Sequence, residues 1–134
     1  LLALLAAGCA HLSGRGPARL DPVTVDGQAF RVQYWPEDEK AAGQVRAALA
    51  LAVPRATRWG RLTSPVLVTL HPSHRALEAA AHREDHPWLR AWARYASIDL
   101  QSPRTWEPLD FLFGGPTDEQ VAELLTHELT HCVM

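Results

Sequence analysis

Leu124-Leu125-Thr126-His127-Glu128-Leu129-Thr130-His131-Cys132-Val133 is the stretch on which the reading of this chain turns. His127 and His131 are four residues apart, so on a helix they leave the same face one turn from each other, where both imidazoles can reach a single metal ion. Glu128 directly follows the first histidine. This is the H-E-x-x-H arrangement, in which two histidines hold zinc and the glutamate, itself not a ligand, acts on the water at the metal. The surrounding residues supply the helix that the geometry needs. Thr117-Asp118-Glu119-Gln120 is a Thr-x-x-Gln capping box with acidic residues in the first turn, where the helix dipole favours them. Val121, Leu124, Leu125, Leu129 and Cys132 then recur at helical spacing as an apolar stripe. The competing reading is a helix that carries two histidines and no metal; the placed glutamate and the well-formed flanks favour the metal. Cys132 lies about 100° round the helix from His131, so it is expected in the core and not among the ligands.

Outward from this helix, the bulk numbers limit the alternatives. With 134 residues, 47% of them hydrophobic, the chain is one domain's worth and can bury a core. Its formal net charge of −2 gives no field that argues for nucleic acid or for an anionic membrane surface. The chain begins without Met and stops three residues after His131, so it is expected to be a fragment of a longer protein.

Leu1 to Gly8 is an apolar run ending in small residues just before Cys9, too short to cross a bilayer but suited to the apolar part of a secretory signal. Leu5-Ala6-Ala7-Gly8-Cys9 resembles the bacterial lipobox, after which a lipoprotein is cleaved and its cysteine lipidated, although Ala6 stands where Leu is usual. The alternative is a buried apolar segment with an ordinary thiol. Residues 10–22, rich in Gly, Pro, Ser and Arg, read as a flexible tether. The expected division is therefore a leader over 1–9, a tether over 10–22 and a folded domain over 23–134.

Within that domain Val23 to Trp35 is strand material, broken by Asp26-Gly27, a dipeptide suited to a tight hairpin turn. Glu37-Asp38-Glu39 gives an acidic first turn to a helix with Ala41, Val45, Ala48, Leu49 and Ala52 on its inner face, which Pro54 should stop or kink before the exit at Gly60. Val66 to Leu70 reads as a buried strand. A second helix follows Pro72-Ser73, with Ala76, Leu77 and Ala80 turned inward. Ala93 to Gln101 reads as one further strand, and Thr105 to Pro116 as the loop that leads to the last helix.

Other residue pairs offer less. His82 and His86 are four apart, but Pro87 disfavours helical geometry at His86, so a solvated loop is the simpler reading. His71 and His74 flank a Pro-Ser helix start and read as capping or surface residues. Trp88, Trp92 and Tyr95 could line a groove, though aromatics at that spacing usually pack in a core.

With this order of elements ending in His127-Glu128-Leu129-Thr130-His131, the chain resembles the gluzincin metallopeptidases, especially the bacterial peptidase-MA-like domains, over about Val23 to Met134. The resemblance implies an α+β fold, the N-terminal subdomain of a zincin, with a mixed sheet of about four strands packed on the active-site helix and the C-terminal part missing. It implies Zn2+ as cofactor, Glu128 as the catalytic base, and a third ligand, a Glu from a later helix, beyond Met134. It also implies that an edge strand binds extended substrate by strand addition, a place taken here by Ala93 to Gln101 with Ala96, Ser97, Ile98 and Asp99 as substrate-binding residues. The longer metzincin motif wants Gly three residues after the second histidine, where this chain has Met134. The expected protein is thus a zinc-dependent peptidase acting on a peptide or protein, held to the membrane of the bacterial cell envelope through a lipid on Cys9. Two alternatives stay open: an envelope lipoprotein that uses a zincin-like fold as a non-catalytic binding module, and a metal carrier recruiting His71, His74, His82 or His86.

Overall fold

A computed structural model of the chain describes residues 16–107 and 115–134. The leader, Cys9 and tether residues 10–15 lie outside these residues, as do Phe111 and Phe113. Alternating side chains and a turn that accepts positive φ make the first hairpin: β1 (Arg19–Val25) and β2 (Gln28–Tyr34) pair antiparallel through Asp26 (φ 49°) and Gly27 (φ 75°). Both central residues left-handed is the twist that a two-residue hairpin needs. Pro22 sits inside β1, which is tolerable because β1 is an edge strand with one side free of ladder bonds. The strand therefore begins at Arg19, and the expected tether over 10–22 loses its last four residues to the sheet.

A 3-10 turn (Pro36–Asp38) leads into α1 (Glu39–Ala56), which crosses over to β3 (Val66–His71), parallel to β2. Pro54 does not end α1. It stands exposed in the last turn, and the helix closes at Thr57, whose N–H and Oγ1 both bond the Val53 carbonyl. After α2 (His74–Ala81) the chain returns as β4 (Ala91–Arg94) and β5 (Ser97–Gln101), an antiparallel hairpin in which Tyr95 takes a left-handed φ of 51°. The sheet order is β1-β2-β3-β5-β4, with β5 parallel to β3. The fold is α+β, a mixed open sheet with three helices, but with five strands instead of about four. The stretch Ala93 to Gln101 is two strands, because a tyrosine makes the turn that glycine or asparagine would have announced.

Burial explains the layering. Phe30, Val32, Val66, Val68, Leu70, Ile98 and Leu100 point to one face of the sheet and share a core with α1 and with α3 (Asp118–Cys132). Leu67, Thr69 and His71, alternating with that set, turn to the other face with Ser97, Asp99 and Gln101. There α2 lies, and Leu77 and Ala81 form a smaller cluster with Leu89 and Trp92. Two polar links tie α1 to the chain leading into α3: Gln44 Nε2 donates to the Pro116 carbonyl at 2.7 Å, and Arg55 meets Glu119 at 2.6 and 3.1 Å.

Asp38 is fully buried and does not cap α1. Its Oδ1 accepts from Ser102 Oγ at 2.6 Å and from Arg104 Nε at 2.7 Å, pinning the exit of β5 to the start of α1, while Oδ2 has no partner among the described residues. A hydrogen bond to a buried charge is worth about 1.5–3 kcal/mol. Ser102→Ala is therefore expected to lower the unfolding free energy by about 2 kcal/mol, read as a fall in the urea midpoint at unchanged slope.

Candidate metal centre

The capping box forms as the sequence suggests. Thr117 Oγ1 accepts from Gln120 N–H, Gln120 Oε1 accepts from Thr117 N–H, and α3 starts at Asp118. Val121, Ala122, Leu125, Leu129 and Cys132 are buried, which leaves His127 and His131 exposed on the opposite side. The far end of the helix is held as well. Arg61 and Met134 exchange backbone hydrogen bonds at 3.0 Å, and a Cβ on Gly60 would stand 2.4 Å from Val133, so only glycine allows this approach.

The Nε2 atoms of His127 and His131 are 3.4 Å apart, with ring centroids 5.0 Å apart and planes at 77°. Two imidazoles bound at about 2.05 Å to a tetrahedral zinc are separated by about 3.3 Å. The pair is thus already spaced for one cation. Its shape owes nothing to neighbouring elements beyond those that hold α3, because both rings come from the same helix face. Among the described residues no third His, Cys, Asp or Glu joins them in a group that could hold a metal. Cys132 packs in the core, where burial and then the charge of Glu128 push its thiol up, as befits an inert sulfhydryl and not a ligand.

Glu128 is only 7% exposed and faces the edge strand β4. Burial raises its carboxyl above the ordinary 4.5, and the two histidines and the backbone of Ala93 oppose this only in part. A carboxylate made reluctant to ionise, beside two metal-competent imidazoles, has the proton affinity that a general base needs.

The resemblance-based substrate residues need correction. Ala96 lies in the β4–β5 turn, and Ser97, Ile98 and Asp99 belong to β5, which is hydrogen-bonded on both sides by β3 and β4. An inner strand cannot receive another strand. The open edge is β4, and since Arg90 O bonds Gln101 N, the register turns the N–H and C=O of Ala91 and Ala93 outward.

The other histidines among the described residues lie away from this pair. His82 caps α2 in a left-handed conformation, and His86 packs edge-on against Trp88 in the following loop, so the two share no helix face. His71 is buried against Asp99 at 2.8 Å, and His74 bonds Gln101 and Glu78, neither being the capping or surface residue expected. Of the three aromatics, Trp92 packs against the α2 cluster, while Trp88 and Tyr95 are largely exposed. The sequence did carry a sign of the His71–Asp99 network, the polar alternation Thr69/His71 and Ser97/Asp99/Gln101, but it was legible only with the strand pairing known.

Compared with protein-family models and with curated proteins, the chain matches no family and no relative.

The raised carboxyl of Glu128 sets a stability test on the metal-free protein. A group whose folded titration point lies above its unfolded one contributes stability below the unfolded value and loses it as pH rises. Glu128→Gln is therefore expected to be more stable than the parent at neutral pH, with the gap closing as pH falls below the ordinary 4.5. Denaturant midpoints of both proteins across that range check it.

Proposed function

We propose that this chain is the metal-helix part of a zinc-dependent peptidase of gluzincin type. The observation that carries the reading is the pair of exposed imidazoles with Nε2 atoms 3.4 Å apart, one turn from each other, with the buried carboxyl of Glu128 between that pair and an open sheet edge. His127 and His131 hold the metal. Bound zinc supplies a Lewis acid that acidifies water and polarises a carbonyl. Catalytic zinc usually has three protein ligands, so a third, in the related enzymes a Glu, comes from outside the described residues. Glu128 takes the proton of the attacking water and passes it to the leaving amine, its burial keeping its proton affinity high. A peptide laid along β4 in extended form meets the outward groups of Ala91 and the outward carbonyl of Ala93, whose N–H already bonds Glu128, and brings its backbone over the helix.

The leader reading adds a place. Cys9 carries a lipid, residues 10–18 tether the domain, and the peptidase works at the bacterial cell envelope. No helix of the described residues is long and apolar enough to cross a membrane. The two-ligand set also supports a second reading, a non-catalytic envelope lipoprotein that uses the same fold to bind peptides.

In a protein with the complete metal site, Glu128→Gln is expected to keep its zinc and lose about 10²–10⁴-fold in peptide hydrolysis, while His127→Ala and His131→Ala lose the metal. Metal analysis beside a peptide-cleavage assay reads both, and unchanged hydrolysis in Glu128→Gln refutes the assigned role; full zinc with no hydrolysis in the parent selects the binding module. Expressed in a bacterium with its own leader, the protein is expected to partition with membranes and carry lipid on Cys9, and Cys9→Ser to abolish that lipid; a soluble, unlipidated parent refutes the anchor.

A further inference from the structure

The sheet face turned away from His127 and His131 carries a separate polar network whose proton inventory can be worked out. His74, at the start of α2, places Nδ1 3.0 Å from Gln101 Oε1 and Nε2 2.8 Å from Glu78 Oε1. The orientation of the Gln101 amide is fixed by its other end, where Nε2 donates to the carbonyl and the hydroxyl of Thr105. That hydroxyl donates its own proton to the Ser102 carbonyl, so it can only accept from Gln101. Gln101 must therefore offer its oxygen to His74. Both ring nitrogens face acceptors, and only an imidazole protonated on both satisfies them. A neutral ring, in either tautomer, sets a lone pair against an oxygen, and rotating the Gln101 amide merely moves the conflict to Thr105.

Glu78 Oε1 also accepts the backbone N–H of His86 at 3.1 Å. That bond fastens residues 82–90, which hold two non-glycine residues in left-handed backbone, His82 at φ 53° and Asp85 at φ 61°. Such conformations are unfavourable for residues with a Cβ and persist where surrounding contacts enforce them. The segment runs directly into β4, the open edge.

We propose that His74 is a protonation-operated clasp: as the imidazolium it fastens α2 to β5 and, through Glu78, holds residues 82–90 against the fold, and on losing a proton it frees them. Burial works against the imidazolium, but the hydrogen bonds to Gln101 and Glu78, the Glu78 charge and a backbone hydrogen bond at His86 outweigh it, so His74 titrates above the ordinary 6.5. Burial likewise opposes the Glu78 carboxylate, and the His86 backbone and His74 outweigh it, holding Glu78 below 4.5 and charged throughout. Of the other titratable or charged groups near the ring, the His86 imidazole faces the Glu84 carbonyl and adds its charge at Glu78, and the rest are engaged or face away: His71 of β3 with Asp99 of β5, Arg94 of β4 with the Ala80 carbonyl, Arg104 with Asp38, Arg90 over the Trp106 ring, and Arg75 exposed on α2. The clasp is closed below 6.5 and opens as pH rises through the higher folded value. It stands apart from the peptidase reading, since none of its groups touches α3.

Ring-nitrogen NMR of His74 and hydrogen exchange over 82–90, in the whole chain and in His74→Gln, test it. At about pH 6.5, where an ordinary imidazole is half protonated, His74 is expected to be mostly doubly protonated, and exchange over 82–90, corrected for its intrinsic pH dependence, to accelerate by up to about tenfold per pH unit above 6.5 until His74 has titrated; His74→Gln is expected to lose that dependence. A ring that is half protonated or less at about pH 6.5, or the same pH response in His74→Gln, overturns the clasp. Should His74→Gln fail to fold, Gln101→Met removes the Nδ1 acceptor, together with the bonds to Thr105, and leaves Nε2 its Glu78 partner; it must lower the titration point of His74, and an unmoved titration overturns the proposal equally.

Discussion

Val121, Ala122, Leu125, Leu129 and Cys132 enter one core with α1 and the sheet, and a helix has a single rotational setting that buries such a stripe. Everything at the candidate metal centre depends on that setting. Each fully buried leucine contributes about 1.5–3 kcal/mol, more than exposed histidines gain from any one orientation. Packing therefore decides which way α3 turns, and His127 and His131 are carried to the surface together. Glu128, one residue on, is rotated about 100° and ends against β4. The same apolar stripe thus exposes the histidines and buries the carboxylate between them and the sheet edge.

The two faces of the sheet are used differently. Under α1 and α3 the face is apolar and fully packed. Under α2 it is partly polar, with the His71–Asp99 pair, the His74–Gln101–Thr105 chain and Glu78 each satisfied by named partners. Side chains alternate along every strand, so one chain segment serves both: Ile98 and Leu100 face the metal helix, while Asp99 and Gln101 face α2. β5 is therefore shared by the two sides, and Ser102, immediately after it, ties that strand to Asp38 and the start of α1.

Local chemistry was legible without coordinates wherever a few adjacent residues settle the outcome. Thr117 to Gln120 specify a capping box by themselves, Asp26-Gly27 specify a hairpin turn, and the spacing of His127 and His131 brings both rings to one face whatever surrounds the helix. The apolar stripe of α3 and the strand at Val66 to Leu70 likewise follow from period alone. These elements are short-range, so their energetics are contained in the sequence window that encodes them.

Pairing between distant segments decided the rest. No sequence signal splits Ala91 to Gln101 at Tyr95, because a tyrosine with positive φ is held there by the two strands that flank it. Only the sheet order reveals that Ser97 to Asp99 are interior and that β4 is the edge. Arg19 to Pro22 look like linker by composition and become strand because β2 offers them partners. His71 and His74 read as capping or surface residues, yet His71 is buried against its cross-strand neighbour Asp99, and His74 is half-buried between Gln101 and Glu78. The sequence by itself determined the metal-competent helix and its caps; the tertiary structure alone decided what lies beside that helix, since a strand's neighbours are set by ladder bonds between residues far apart in the chain.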